Sequence, residues 1–268
     1  MTKNLLFLFF LFISSLAADP FFYIIIPSYN NEEWCIKNIQ SIVNQRYPHW
    51  KAVVINDCST DKTGLLLEKY VREKKLQHRI QVIHNSKRLG MLANTYNAAQ
   101  KAQPEWVIAT VDGDDTLRTN DALSIVAKVY MQNPKIWMTY GSWVSDPIGA
   151  RKCNCAYFPQ EIIQKNEFRK YPYISSQLRT FYAALFQKIK KEDCQYKGKF
   201  FMAAGDVAFM IPMLEMASKG HFHYIKEPIY TYNVVNPIND FRAHAALRNE
   251  CSARIRAKKP YKPLSRLF

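Results

Sequence analysis

The chain contains no uninterrupted apolar run of the roughly 20 residues that a membrane-spanning helix requires. It has no internal repeat and no low-complexity tract apart from a basic C-terminal end. It also has no Asn-x-Ser/Thr acceptor site, which weighs against a eukaryotic luminal origin. Acidic residues are in short supply: 22 Asp and Glu face 37 Lys and Arg, a formal net charge of +15. Such a surplus concentrates anionic partners such as nucleotide diphosphates, nucleic acid, lipid headgroups and acidic glycans, without choosing among them. The basic residues are not interleaved with aromatics except around Tyr261, so a nucleic-acid partner is not expected.

What is present describes an ordinary folded chain. Its 268 residues are 48% hydrophobic and 22% charged, so a substantial core rather than disorder is expected. Lys3 precedes an apolar run from Leu5 to Leu16, interrupted only by Ser14 and Ser15 and followed by Ala17. This pattern predicts a signal peptide, or an anchor-like targeting segment, over residues 1–18. The expected destination is a secretory lumen of the ER or Golgi kind, or a membrane-associated position. Six cysteines permit disulfides, but Cys153 and Cys155 are too close together to read as a usual pair, and a lone CxC is weak evidence for zinc.

Strand and helix alternate along the first half. Phe21 to Ile26, Lys51 to Ile55, Ile80 to His84 and Trp106 to Val111 are short apolar runs that read as buried strands. Between them, Glu32 to Gln45, Asp61 to Lys74 and Met91 to Lys101 read as helices. Such alternation specifies an α/β fold with a mostly parallel central sheet flanked by helices. Ligands in such sheets bind beyond the carboxyl ends of the strands. Ser28-Tyr29-Asn30, Asn56-Asp57 and Asp112 to Asp115 all fall at those ends. The second half predicts helices over Asp121 to Met131, Ser175 to Ile189 and Asp206 to Ala217, strands over Ile136 to Val144 and Tyr224 to Tyr232, and a mixed loop from Cys153 to Tyr173. The end of the chain, residues 241–268, is basic and reads as a solvated tail, with an anionic membrane surface as its alternative partner.

The stretch Val111-Asp112-Gly113-Asp114-Asp115 carries the strongest chemical signal. Three carboxylates at the end of a buried strand repel one another, and a divalent cation relieves that repulsion. Oxygen ligands suit Mg²⁺ or Mn²⁺, which commonly bridge a carboxylate to a diphosphate. A helix cap accounts for one of these acids but not for three.

With these blocks in view, the chain resembles the family 2 glycosyltransferases of the GT-A fold. The resemblance rests on Ile26-Pro27-Ser28-Tyr29-Asn30, Ser41-Ile42-Val43-Asn44-Gln45, Val54-Ile55-Asn56-Asp57 through Thr63, and the Val111 to Asp115 block. It implies transfer of a sugar from a nucleotide-sugar donor, a UDP-sugar by preference, with inversion and a Mn²⁺ or Mg²⁺ cofactor. It further implies that Pro27 and Tyr29 flank the donor base, Asp57 accepts from the base, Arg88 lies near the nucleotide, and Asp112 and Gly113 belong to the donor-binding motif. Asp114 and Asp115 are then the metal ligands, and Asp206, in Ala204-Gly205-Asp206-Val207, is the general base. Residues 19–120 become the nucleotide-sugar half, and 121–240 a smaller acceptor-side region. His244 falls where some members place a further metal ligand.

Several features depart from the family pattern. Cys58 replaces a smaller residue, an arginine common near Asn94-Thr95-Tyr96 is absent, and there is no Gln-x-x-Arg-Trp block. One sugar per event, passed to a glycan, lipid or protein acceptor, is therefore expected rather than processive synthesis. The competing expectations are an inactive nucleotide-sugar-binding protein and a basic nucleic-acid-binding protein.

Overall fold

A computed structural model of the chain describes residues 19–239 and 245–268. The expected signal segment at 1–18 and His244 lie outside the described residues. The four predicted buried strands form as β1 (Phe22–Ser28), β2 (Trp50–Asn56), β3 (Ile80–His84) and β4 (Val107–Thr110), linked by α1 (Cys35–Val43), α2 (Thr63–Glu73) and α3 (Met91–Ala99). After them come β5 (Thr116–Leu117), α4 (Ala122–Gln132), β6 (Met138–Asp146), α5 (Gln160–Lys165), β7 (Arg179–Tyr182) and α6 (Ala183–Phe186). A small β8 (Gln195–Tyr196) and β9 (Lys199–Phe200) hairpin precedes α7 (Gly205–Met216), β10 (Phe222–Asn233) and α8 (Ala245–Arg256).

Eight strands form one sheet in the order β3-β2-β1-β4-β7-β6-β10-β5. The pairs β3-β2, β2-β1, β1-β4 and β6-β10 are parallel, while β7 runs antiparallel to both neighbours and β5 antiparallel to β10. Because successive strand residues point to opposite faces, β1 feeds two cores. Ile25 packs with α3, α6 and α7 on one face, whereas Phe22, Ile24 and Ile26 pack with α1, α2 and α4 on the other. This double burial is why β1, β2 and β4 read as mostly apolar runs, whereas the edge strand β3 carries the exposed Gln81 and His84.

Two expectations are corrected. Ser175 to Ile189 is not one helix: Arg179–Tyr182 is a strand and only Ala183–Phe186 is helical. The slot between β4 and β6 is filled by Thr180 and Phe181, both with no exposure, and a β-branched and aromatic pair suits that site. A short apolar run buried on all sides carries no period to separate the two states.

The basic end is not a solvated tail either. Cys251 and Ile255 of α8 are buried, and the Leu264 N–H donates to the Met216 carbonyl at the end of α7. Beneath α8, Arg169 makes a two-pronged ion pair with Glu215 of α7, at 2.7 and 2.9 Å, and a third bond to the Ile255 carbonyl. Glu215 also accepts from the Tyr261 N–H at 2.9 Å. One buried carboxylate thus fastens α7 to both the arginine and the C-terminal segment.

All six cysteines are free thiols. No helix among the described residues is long and apolar enough to cross a membrane. Removing the carboxylate alone leaves the buried guanidinium uncompensated, so Glu215→Ala is expected to destabilise the protein by about 3–5 kcal/mol in urea unfolding. It should also expose the segment after residue 245 to proteolysis in the native state.

Candidate active site

The carboxyl ends of β1 and β4 and the start of α7 surround a cleft of about 420 Å³, a size that suits a small-molecule ligand. At its floor the 112–115 turn is fastened at each residue. The Gly113 N–H donates to the Pro27 carbonyl at 3.2 Å. The Asn38 amide donates to the carbonyls of Asp112 (2.9 Å) and Asp115 (2.7 Å). A Cβ on Gly113 would come within 2.7 Å of Asn31 Nδ2 and Ser28 Oγ and 2.8 Å of the Pro27 carbonyl oxygen. Glycine is therefore required here because the β1 end and the acidic turn touch backbone to backbone.

The three carboxylates have different surroundings. Asp112 lines the cleft and accepts from Gln177 Nε2 at 2.6 Å. Burial pushes its pKa up and Asp206 adds to the rise, against the opposing pull of Arg179 and Gln177. Asp114 also lines the cleft, steadied by Asn236 Nδ2 at 2.7 Å. Asp115 is 1% exposed and is absent from the cleft wall. Its carboxylate accepts from the Asn233 N–H at 2.7 Å, and burial, then Asp114 and Asp112, hold its pKa well above the usual carboxylate range. Asp115 thus stitches the acidic turn to the end of β10, while Asp112 and Asp114 face the cleft.

On one side, Pro27, Tyr29 and Arg88 line the cleft together, with the Arg88 guanidinium 3.9 Å from the centre of the Tyr29 ring, a cation–π contact. Asp57 is 3% exposed and does not line it. Its two oxygens accept from the N–H groups of Leu89 (2.9 Å) and Gly90 (2.7 Å) and from Asn85 Nδ2 (2.7 Å). The carboxylate expected to face a donor base is thereby occupied in shaping the turn that presents Arg88.

On the other side, α7 is buried at every position except Asp206. A left-handed Ala204 (φ 53°) precedes the helix, and Asp206 opens into the cleft as its second residue. Arg179 Nη2 of β7, 5% exposed, donates to Asp206 Oδ2 at 2.9 Å. Asp206 is not the cap of α7: Ala204 occupies the cap position.

Donor chemistry at the floor suits a hard divalent cation. Two cleft-facing carboxylates, Asp112 and Asp114, supply oxygens, and a cation would offset the repulsion that raises Asp112. Among the described residues no group of three or more His, Cys, Asp or Glu side chains gathers to enclose an ion. Mg²⁺ and Mn²⁺ sites of this type draw their remaining ligands from substrate phosphates and water. His221, just before β10, stacks on Trp137 with ring centres 3.6 Å apart, and neither it nor His223 lines the cleft.

Residues 23–190, more than half of the chain, match the sequence profile of the family described as Glycosyl transferase family 2. The chain belongs to that family. It is 33% identical over 96 residues to the Bacillus subtilis protein TuaG, provisionally named a teichuronic acid biosynthesis glycosyltransferase, covering 36% of each chain. It is 36% identical over 97 residues to the Staphylococcus aureus poly(ribitol-phosphate) β-N-acetylglucosaminyltransferase TarS, covering 35% of this chain and 16% of that one. The matches therefore span about a third or less of these curated relatives.

Among solved structures, TarS 1–349 in complex with UDP-GlcNAc superimposes with a TM-score of 0.58 at 18% identity, covering 81% of this chain and 59% of that one. The Pyrobaculum calidifontis mannosyltransferase PcManGT, in complex with GDP-Man and Mn²⁺, gives 0.59 at 18% identity, covering 90% and 66%. These likenesses establish the GT-A fold.

Sequence reading did not single out Gln177, Arg179 or Asn236 as site residues. The one signal for Arg179 was a charge inside an otherwise apolar stretch, where a charge is seldom buried unless paired. Asn236 sits in an Asn-Pro turn, where asparagine is ordinary.

Gly113→Ala should destabilise the fold by about 1–3 kcal/mol in denaturant melts, because the Pro27 carbonyl cannot yield. Asp115 and Asp112, both raised, give a pH dependence of definite sign. Between the unfolded value near 4 and the raised native values the folded state binds more protons, so stability falls as pH rises through that window. Asp115→Asn keeps an oxygen for the Asn233 N–H and should shrink this fall in urea midpoints measured from pH 4.5 to 8.

Proposed function

We propose that the protein transfers a single sugar from a nucleotide-sugar donor, a UDP-sugar foremost, to an acceptor hydroxyl with inversion of configuration. The observation that carries this reading is the placement of Asp206 as the one open residue of a buried helix, across the same cleft from Asp112 and Asp114. In such a reaction an Asp206 oxygen takes the proton of the acceptor hydroxyl as that oxygen attacks the anomeric carbon. The bond from the anomeric carbon to the diphosphate breaks on the opposite side, and one displacement gives inversion. Arg179 fixes the Asp206 rotamer through the 2.9 Å ion pair, so the base needs no reorientation.

Asp114, with Asp112, would hold a Mg²⁺ or Mn²⁺ ion, which when bound offsets the charge developing on the leaving diphosphate. Tyr29 and Arg88 form the nucleotide end: an aromatic face suits stacking against a base, and the adjacent guanidinium suits a phosphate. Support for the donor class comes from neighbours of the same fold, captured with UDP-GlcNAc and with GDP-Man and Mn²⁺. The acceptor lies among glycan, lipid and protein hydroxyls.

The test is donor-only turnover. Purified protein, a panel of UDP- and GDP-sugars and Mn²⁺ should give slow release of nucleoside diphosphate from at least one donor. Chelation or Asp114→Ala should abolish release. With an acceptor identified, Asp206→Asn should lower transfer by about 10²–10⁴-fold while sparing donor affinity. Nucleotide-sugar binding without any release would indicate an inactive binding protein, and absence of both would overturn the reading.

A further inference from the structure

Two thiols stand one residue apart beside the cleft and take no part in the proposed transfer. Cys153 and Cys155 lie in the irregular stretch 152–159 and are both partly exposed, whereas Cys35, Cys194 and Cys251 are buried. The Cys155 N–H donates to Cys153 Sγ at 3.4 Å. The Cys155 thiol donates to the same sulfur, and the Trp143 N–H and the Ser142 hydroxyl act on it as further donors. A sulfur with this set of donors is suited to carry a negative charge.

These bonds separate the roles of the pair. Donation from the Cys155 thiol holds the Cys153 pKa below the usual thiol range, against the rise from burial, and the remaining donors add to the lowering. The same bond, and then burial, push the Cys155 thiol up. Cys153 is therefore the nucleophile, and Cys155 the protonated neighbour held against it. A thiolate beside a second thiol is the arrangement that thiol–disulfide exchange requires for attack and then resolution.

The short spacing sets how a bond between them would behave. With one residue between the cysteines, ring closure removes little entropy from the unfolded chain and stabilises the disulfide little. Weakly held disulfides are the ones that ordinary thiols reduce. Asn154, the residue between the two, lines the cleft, and its amide donates to the Tyr173 carbonyl at 3.0 Å. Oxidation draws the sulfurs from a hydrogen bond to a covalent separation of about 2 Å. The residue that links them belongs to the cleft wall.

We infer that Cys153 and Cys155 form a reversible redox couple on the cleft wall, oxidised by a small-molecule disulfide and reset by a thiol. The Cys153 sulfur attacks the incoming disulfide and displaces one thiolate, giving a mixed disulfide. Cys155 then gives up its proton to the released thiolate, and its sulfur attacks Cys153 and displaces the second half. The two cysteines together lose two electrons and two protons, and the oxidant leaves as two thiols. This couple does not depend on the glycosyl-transfer reading.

The experiment is peptide mapping of the folded full chain after treatment with glutathione disulfide at neutral pH. Remaining thiols are blocked with iodoacetamide before trypsin digestion. Peptide 153–165, bounded by Lys152 and Lys165, holds both thiols and no other cysteine. It should be recovered unalkylated and lighter by two hydrogen atoms, and excess reduced glutathione should restore both thiols. Cys155→Ser should stop at a glutathione adduct on Cys153. Cys153→Ser should form its adduct on Cys155 at least fivefold more slowly.

Two alkylated thiols in oxidised wild type would overturn the inference, and that result needs no variant. Equal adduct rates in the two single variants would overturn it by removing the assigned roles. A bridge left intact by reduced glutathione would overturn it by showing a structural disulfide.

Discussion

The acidic turn at the end of β4 places three carboxylates within four residues, in a part of the protein from which water is largely excluded. Mutual repulsion and desolvation both oppose such an arrangement. Neutral amides help to fasten the turn: Asn38 binds two of its carbonyls, Asn236 binds Asp114, Gln177 binds Asp112, and the Asn233 N–H binds Asp115. Asp112 and Asp114 line the cleft with these amides as neighbours. The positions of β10, β1 and the segment before β7 are all tied to this turn.

Arg179 stands at the junction of the two halves. It enters on the strand that runs antiparallel between β4 and β6, and its guanidinium pairs with Asp206 while lowering the pKa of Asp112. A buried arginine between two carboxylates, Asp112 and Asp206, balances the charge that the otherwise buried α7 carries near its start. The buried Arg179 also limits how far Asp206 can move, as the base of the proposed reaction would require. At the far end of α7, Arg169 and Glu215 repeat the device with no cleft attached, and there the pair fastens the C-terminal segment.

Much of the fold was legible in the residues. Mostly apolar runs marked β1, β2 and β4 because those strands are buried on both faces, and the polar residues after them marked the cleft because strand ends share one edge. The carboxylates facing the cleft were visible for the same reason. What failed was of two kinds. Segment 175–189 was read as a helix because full burial erases the periodicity that separates strand from helix. The C-terminal end was read as solvated because its basic residues dominate the composition, whereas the packing signal lies in scattered residues such as Cys251, Ile255 and Leu267.

The sequence by itself determined the class of fold, the family and the positions of the acids at strand ends, since these depend on local pattern and on short motifs. Only the tertiary structure decided what each acid does. Asp57 and Asp115 are turned toward backbone amides, Asp112 and Asp114 toward the cleft, and Asp206 toward an arginine 27 residues away in sequence. The physical reason is that a carboxylate's role is set by the donors and the dielectric around it. Those neighbours come from segments as far apart as Asp115 and Asn233, which no local pattern connects.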